Sequence, residues 1–128
     1  MLDMDINLAK KEAAINIDRA AGEARCKFIT TVPGQGETYI LKAKQAELFK
    51  AANYTGTVPG LIQAEVDATG TTAQQATDFI LMMQELWLGK ATQIESARRR
   101  GKVLVDSSST VEEVYNHQSV AINELEGL

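Results

Sequence analysis

The stretch Thr71–Asp106 reads TTAQQATDFILMMQELWLGKATQIESARRRGKVLVD and contains no proline. It opens with Thr71-Thr72-Ala73-Gln74, a capping-box start in which a threonine side chain accepts from an amide that helix geometry leaves unpaired. Phe79, Ile80, Met83, Leu86, Trp87, Ile94, Ala97 and Leu104 then recur at three- and four-residue steps, the spacing of one helical face. At 1.5 Å per residue a helix over this stretch is roughly 50 Å long. A chain of this size cannot cover such a length with one short neighbour. The stretch therefore calls for antiparallel partners from its own chain or for further copies.

The chain has 128 residues, which on size alone is one domain over 1–128. Its apolar residues make up 45% of the sequence, but only three Phe, three Tyr and one Trp are among them. Alanine dominates instead, and alanine faces let helices approach closely, which favours bundles over sheets. The reading is an all-α fold, a small helical bundle of about five helices with a long antiparallel pair, assembling as an oligomer.

Working outward toward the N-terminus, Ile6, Ala9, Ala13, Ile17, Ala20, Ala24 and Phe28 form a stripe that predicts a helix over 6–28. Lys10, Lys11, Glu12, Asp18, Arg19 and Glu23 occupy its other side. Gly22, unfavourable inside a helix, points to a close helix crossing. Cys26 reads as a small residue beside the buried stripe. Thr31-Val32-Pro33-Gly34-Gln35-Gly36 is a connector: it lacks the Gly-Lys-Ser/Thr ending and the preceding strand of a phosphate-binding loop. A second helix over 37–52 places Ile40, Ala43, Leu48 and Ala51 on a face, and the turn 53–57 carries Asn53 and Gly56 for a left-handed cap. Val58-Pro59-Gly60 leads into a short third helix over 61–68, docked by Leu61, Ile62 and Val66 and ended by Thr69-Gly70.

Toward the C-terminus, Ser107–Thr110 breaks the pattern, and Ser109 with Glu112 or Thr110 with Glu113 forms a second capping box. The last helix, over 111–125, carries Val111, Val114, Tyr115, Val120, Ile122 and Leu125. Phe28, Leu48, Ile80, Met83, Trp87 and Ile94 are expected to share one core, with an interface anchor as the other reading of Trp87.

Chemistry is sparse. His117 is the single histidine and Cys26 the single cysteine, so no metal-ligand set or Cys-His pair is legible. No cofactor, no small-molecule substrate and no enzymatic activity are expected. The net charge of −4 and pI near 5.0 argue against nucleic acid as a partner. Arg98-Arg99-Arg100 reads as a solvated helix end favourable to the helix dipole. The N-terminal residues carry early acids and no apolar core, unlike a signal peptide, and the run 79–88 is too short and too polar for a membrane span. A lone cysteine fits a reducing compartment or simple indifference to redox.

The ordered series Ile17-Asp18, Ala24-Arg25, Phe28-Ile29-Thr30, Pro33-Gly34-Gln35, Thr38-Tyr39, Lys42-Ala43-Lys44 and Ala46-Glu47 resembles a helical module of bacteriophages and prophages. Ala64-Glu65-Val66, Ala68-Thr69-Gly70, Trp87, Ile94-Glu95 and Arg98 continue it in the same order. That module occurs in tail-fibre and other tail-associated proteins as a domain of unknown function. The similarity covers about 15–114, leaving 1–14 and 110–128 as candidate attachment segments. It implies a virion structural protein of the tail, assembled in the host cytoplasm, with other tail or fibre proteins and its own copies as partners. Without shaft or receptor-binding head, an adaptor, collar or fibre-attachment role fits best. A non-virion assembly chaperone for the fibre is the alternative, followed by a cytoplasmic regulatory binder.

Overall fold

The computed structural model describes residues 5–28 and 35–128. It is all-helical: α1 (Ile6–Cys26), α2 (Gln35–Ala51), α3 (Gly60–Thr69), α4 (Ala73–Asp106) and α5 (Val111–Glu126), with no strand among the described residues. Val103-Leu104-Val105, with two β-branched residues that favour strands, lies inside α4. The connector expected at 31–36 falls outside the described residues as far as Gly34, and Gln35 and Gly36 open α2.

The helix ends follow from local chemistry. The Asp5 side chain accepts from the Asn7 N–H at 2.9 Å, capping α1. Gly70 takes the left-handed conformation (φ 72°) and its N–H returns to the Val66 carbonyl, ending α3. At the start of α4 the box is Thr72 with Gln75, one step on from the sequence reading. Gln75 N–H donates to Thr72 Oγ1 at 3.1 Å, and Thr72 N–H donates to Gln75 Oε1 at 3.0 Å. For α5 the choice falls on Thr110 and Glu113: Glu113 N–H donates to Thr110 Oγ1 at 3.1 Å, while Ser109 N–H donates to Glu113 Oε2 at 2.8 Å.

The chain forms two compact units, and α4 contributes residues to both. One holds the described part of 1–29 together with 89–128. Here α1, the C-terminal part of α4 and α5 share a core of Ala9, Ala13, Ile17, Ala20, Ala21, Ala24, Ile94, Ala97, Val105, Val114, Ala121 and Leu125. Arg25 pairs with Glu95, Asp18 with Arg98 and Lys102, and the Lys10 ammonium donates to the Asp106 carbonyl. Residue numbers rise along α1 as they fall along α4, so this pair is antiparallel. Asn16 bonds Gln118 and Lys27 donates to the Glu126 carbonyl, so α5 runs parallel to α1 and antiparallel to α4, to which Arg100 ties it by bonding Glu124 at 2.7 Å.

Gly101 is the point of closest approach. A Cβ there would lie 2.5 Å from the Ala121 Cβ and 3.4 Å from Ile17 Cδ1. Glycine is required because α5 and α1 both press on that spot of the α4 backbone. Gly22, expected to mark a crossing, has nothing within 4 Å of such a Cβ. The close contact was needed in the three-helix core, and Gly22 lies beside the α1 stripe instead of in it.

The other unit, the described part of 30–88, has a smaller core of Ala46, Ile62, Ala76 and Ile80, with Val58, Val66, Ala73 and Leu81 packed on it. The α3 start has no side-chain cap of its own, and Gln45 of α2 accepts the Leu61 N–H at 2.9 Å in its place. Lys42 pairs with Glu65 across α2 and α3.

The expected common core of Phe28, Leu48, Ile80, Met83, Trp87 and Ile94 does not form. Ile80 and Ile94 are buried, in different clusters; Phe28, Leu48 and Met83 are exposed and Trp87 is half-buried. On α2 the buried residues are Ala43, Ala46 and Phe49, while Ile40 is 70% and Leu48 62% exposed. Small side chains let the helix axes come together, so on α2 the alanines, with Phe49, took the core and Ile40 and Leu48 turned outward.

Candidate functional site

The described surface offers apolar faces more than reactive groups. On α4, Phe79, Met82, Met83 and Leu86 are each about half exposed. They follow one another at steps of three, one and three residues, which places them on one side of the helix. The residues this part of α4 buries, Ala76, Thr77 and Ile80, lie on another side. Thr77 is fully buried and satisfied, its hydroxyl donating to the Ala73 carbonyl at 2.7 Å. Tyr39, Ile40, Leu41 and Leu48 form a second outward set on α2. In the other unit Leu8 and Ile15 stand on the α1 side away from its alanine stripe, with Tyr115 and Val120 exposed on α5.

Beside the α4 stripe lies a groove lined by Lys50, Tyr54, Asp78, Leu81, Met82 and Glu85. Asn53 and Tyr54 both have positive φ, 56° and 58°, a conformation that costs a residue bearing a Cβ about 1 to 2 kcal/mol. Asn53 suits it; Tyr54 is held in it by two contacts. Its hydroxyl donates to Asp78 Oδ1 at 2.5 Å, and its ring meets Phe49 edge to face at 5.9 Å. The bond to Asp78, with desolvation and the carboxylate charge, raises the phenol pKa above its ordinary value. Through this bond the phenol ties the turn after α2 to α4.

Arg98-Arg99-Arg100 is not a helix end. The last turn of α4 has no basic residue, and the run sits among ion pairs within its unit. Arg98 bonds Asp18 at 2.8 Å and Glu95 at 2.9 Å, Arg100 bonds Glu124 and the Ser96 hydroxyl, and Arg99 lines an open groove with Lys10, Lys102 and Asp106. Burial pushes the Asp18 carboxyl up, but hydrogen bonds from Lys102 and Arg98 and their charges outweigh it and hold the group below the usual carboxylate range. Two of the three arginines therefore tie helices together. Their cross-helix partners, Asp18 and Glu124, lie 80 and 24 residues away along the chain, so no local pattern announces them.

Cys26, the last residue of α1, is exposed, where the sequence placed it beside the core, because it falls on the helix side of Leu8 and Ile15, away from the alanine stripe. His117 is half-buried on α5. Among the described residues no group of three or more His, Cys, Asp or Glu side chains is placed to hold a metal ion, and no helix is long and apolar enough to cross a membrane. Comparison with protein-family models, with curated proteins and with solved structures returns no match.

Proposed function

We propose that this chain is a bacteriophage virion structural protein, associated with the tail or tail fibre, that acts by protein–protein assembly as an adaptor, collar or fibre-attachment component. The observation that carries this reading is the number of large apolar side chains turned outward on α2 and α4 beside a small core of Ala46, Ile62, Ala76 and Ile80. Isolated exposed apolar residues are ordinary, but runs of them along a helix side are the mark of a surface meant to be covered. The ordered resemblance to phage tail modules supports the location. Copies of the chain and neighbouring tail or fibre proteins are the partners, and the segments 1–14 and 110–128 are the attachment points; Leu8 and Val120 give each an exposed apolar residue. The work is contact, not chemistry, and needs no cofactor. Nucleic acid is not a partner in this reading, given the net charge of −4.

Mass spectrometry of gradient-purified particles tests it. The chain should be present at a stoichiometry matching the tail symmetry. Absence from particles that contain every other tail protein overturns the structural role. A chain absent there but bound to unassembled fibre protein is an assembly chaperone.

A further inference from the structure

We infer that the α4 stripe Phe79, Met82, Met83 and Leu86 is the surface on which a second copy of this chain docks, helix against helix and antiparallel. The inference rests on the assembly part of the proposed function and names the contact. Its first support is exposure: the four residues are 55%, 50%, 47% and 59% accessible, although they adjoin a helix side that is otherwise buried. Asp78 and Glu85 flank them on the groove side, outside the arc of the helix that the four residues span.

The second support is symmetry. The steps of three, one and three residues are the same read in either direction, and so is the order of types: a large residue, two methionines, a large residue. A two-fold axis through the midpoint sets Phe79 against Leu86 of the second copy and Met82 against its Met83. Such self-complementarity is what an isologous interface requires and what a foreign partner does not. Methionine pairs adapt to one another's shape, so the centre of the contact packs without a fixed jigsaw fit.

The third support is area. Half of four large side chains is about 400 Å² of apolar surface per copy, as much as the largest patch of an ordinary monomer. It is about half of the ~800 Å² each partner contributes to a standard interface. The polar helix rim supplies the remainder. That rim carries both signs, Lys50 standing in one groove with Asp78 and Glu85, so the apolar stripe decides the pairing.

Sedimentation equilibrium of the purified full chain, from about 1 µM to 1 mM, reads this directly. A monomer–dimer equilibrium is expected, and Met82→Glu/Met83→Glu should weaken it at least 100-fold with an unchanged helical circular dichroism spectrum. A second measurement avoids charged substitutions. In a Cys26→Ser background, tagged Phe79→Cys chains mixed with Leu86→Cys chains should cross-link to each other on mild oxidation, and neither should cross-link to itself. A wild-type chain that stays monomeric at 1 mM, a dimer untouched by the double substitution, or self-linking of Phe79→Cys overturns the inference. A chain that dimerises this way yet is missing from particles keeps this contact and removes the virion role.

Discussion

Gly101→Ala adds one methyl group at the point where α1, α4 and α5 meet. Placed on the existing backbone, that methyl lies 2.5 Å from the Ala121 Cβ and 3.4 Å from Ile17 Cδ1. The nearer atom is fixed to the α5 backbone and cannot swing away, so the helices must part. Overpacking of a close-packed core costs about 1 to 3 kcal/mol, and a backbone-anchored clash belongs at the upper end. Alanine returns about 1 kcal/mol through its higher helix propensity. The net destabilisation is about 2 kcal/mol, a fall in Tm of roughly 7 °C for a chain of this length. Gly22→Ala is the matched control: its methyl meets nothing within 4 Å, so it should raise stability by about 0.4 to 1 kcal/mol. Gly101→Ala/Ala121→Gly moves the methyl from one helix to the other and should recover most of the loss. Thermal unfolding of these four proteins and of the Ala121→Gly single variant by circular dichroism gives the coupling. A Gly101→Ala chain as stable as wild type, or a double variant whose loss is the sum of its parts, would refute the claim of a glycine-dependent crossing.

Other substitutions separate core from surface and test the caps and ion pairs. Ile94 is fully buried, so Ile94→Ala should cost about 2 to 5 kcal/mol in chemical denaturation, whereas Met83→Ala should stay within about 0.5 kcal/mol in a dilute sample. Trp87 is half-buried, and Trp87→Ala should fall clearly short of the ~3 to 5 kcal/mol of a buried tryptophan. Thr110→Ala removes the acceptor for the Glu113 N–H and should cost about 1 kcal/mol, read as a lower Tm. The lowered Asp18 pKa contributes stability above its unfolded value of 3.8 that is lost as pH falls through the lower folded value. Asp18→Asn should therefore be less stable than wild type at neutral pH, with the gap closing below about pH 4. A gap independent of pH would dismiss the ion pairs as its source.

What the sequence determined by itself is the set of helices and most of their ends, to within about two residues. The signals are local: Thr110 with Glu113 opens α5, Gly70 in its left-handed conformation closes α3, and Pro59-Gly60 starts it. The α1 stripe was legible for the same reason, since its opposite side is so heavily charged that one face alone could be buried. Phe28, at its end, was misplaced because the helix stops at Cys26. Only tertiary structure decided which face of α2 and α4 turns inward. Both helices carry two apolar sides, and periodicity cannot rank them. Reading the larger residues as core put Ile40, Leu48 and Met83 inside, but burial requires close approach as well as hydrophobicity, and Ala43, Ala46 and Ala76 permit it. The same cause hid Gly101, an inconspicuous glycine until Ala121 and Ile17 press on it. It also hid the pairing of Arg98 and Lys102 with Asp18, since an ion pair across 80 or more residues exists only once α1 and α4 have packed. The outward stripes follow from that choice: the side chains left over when alanine took the core are the ones available to bind something else.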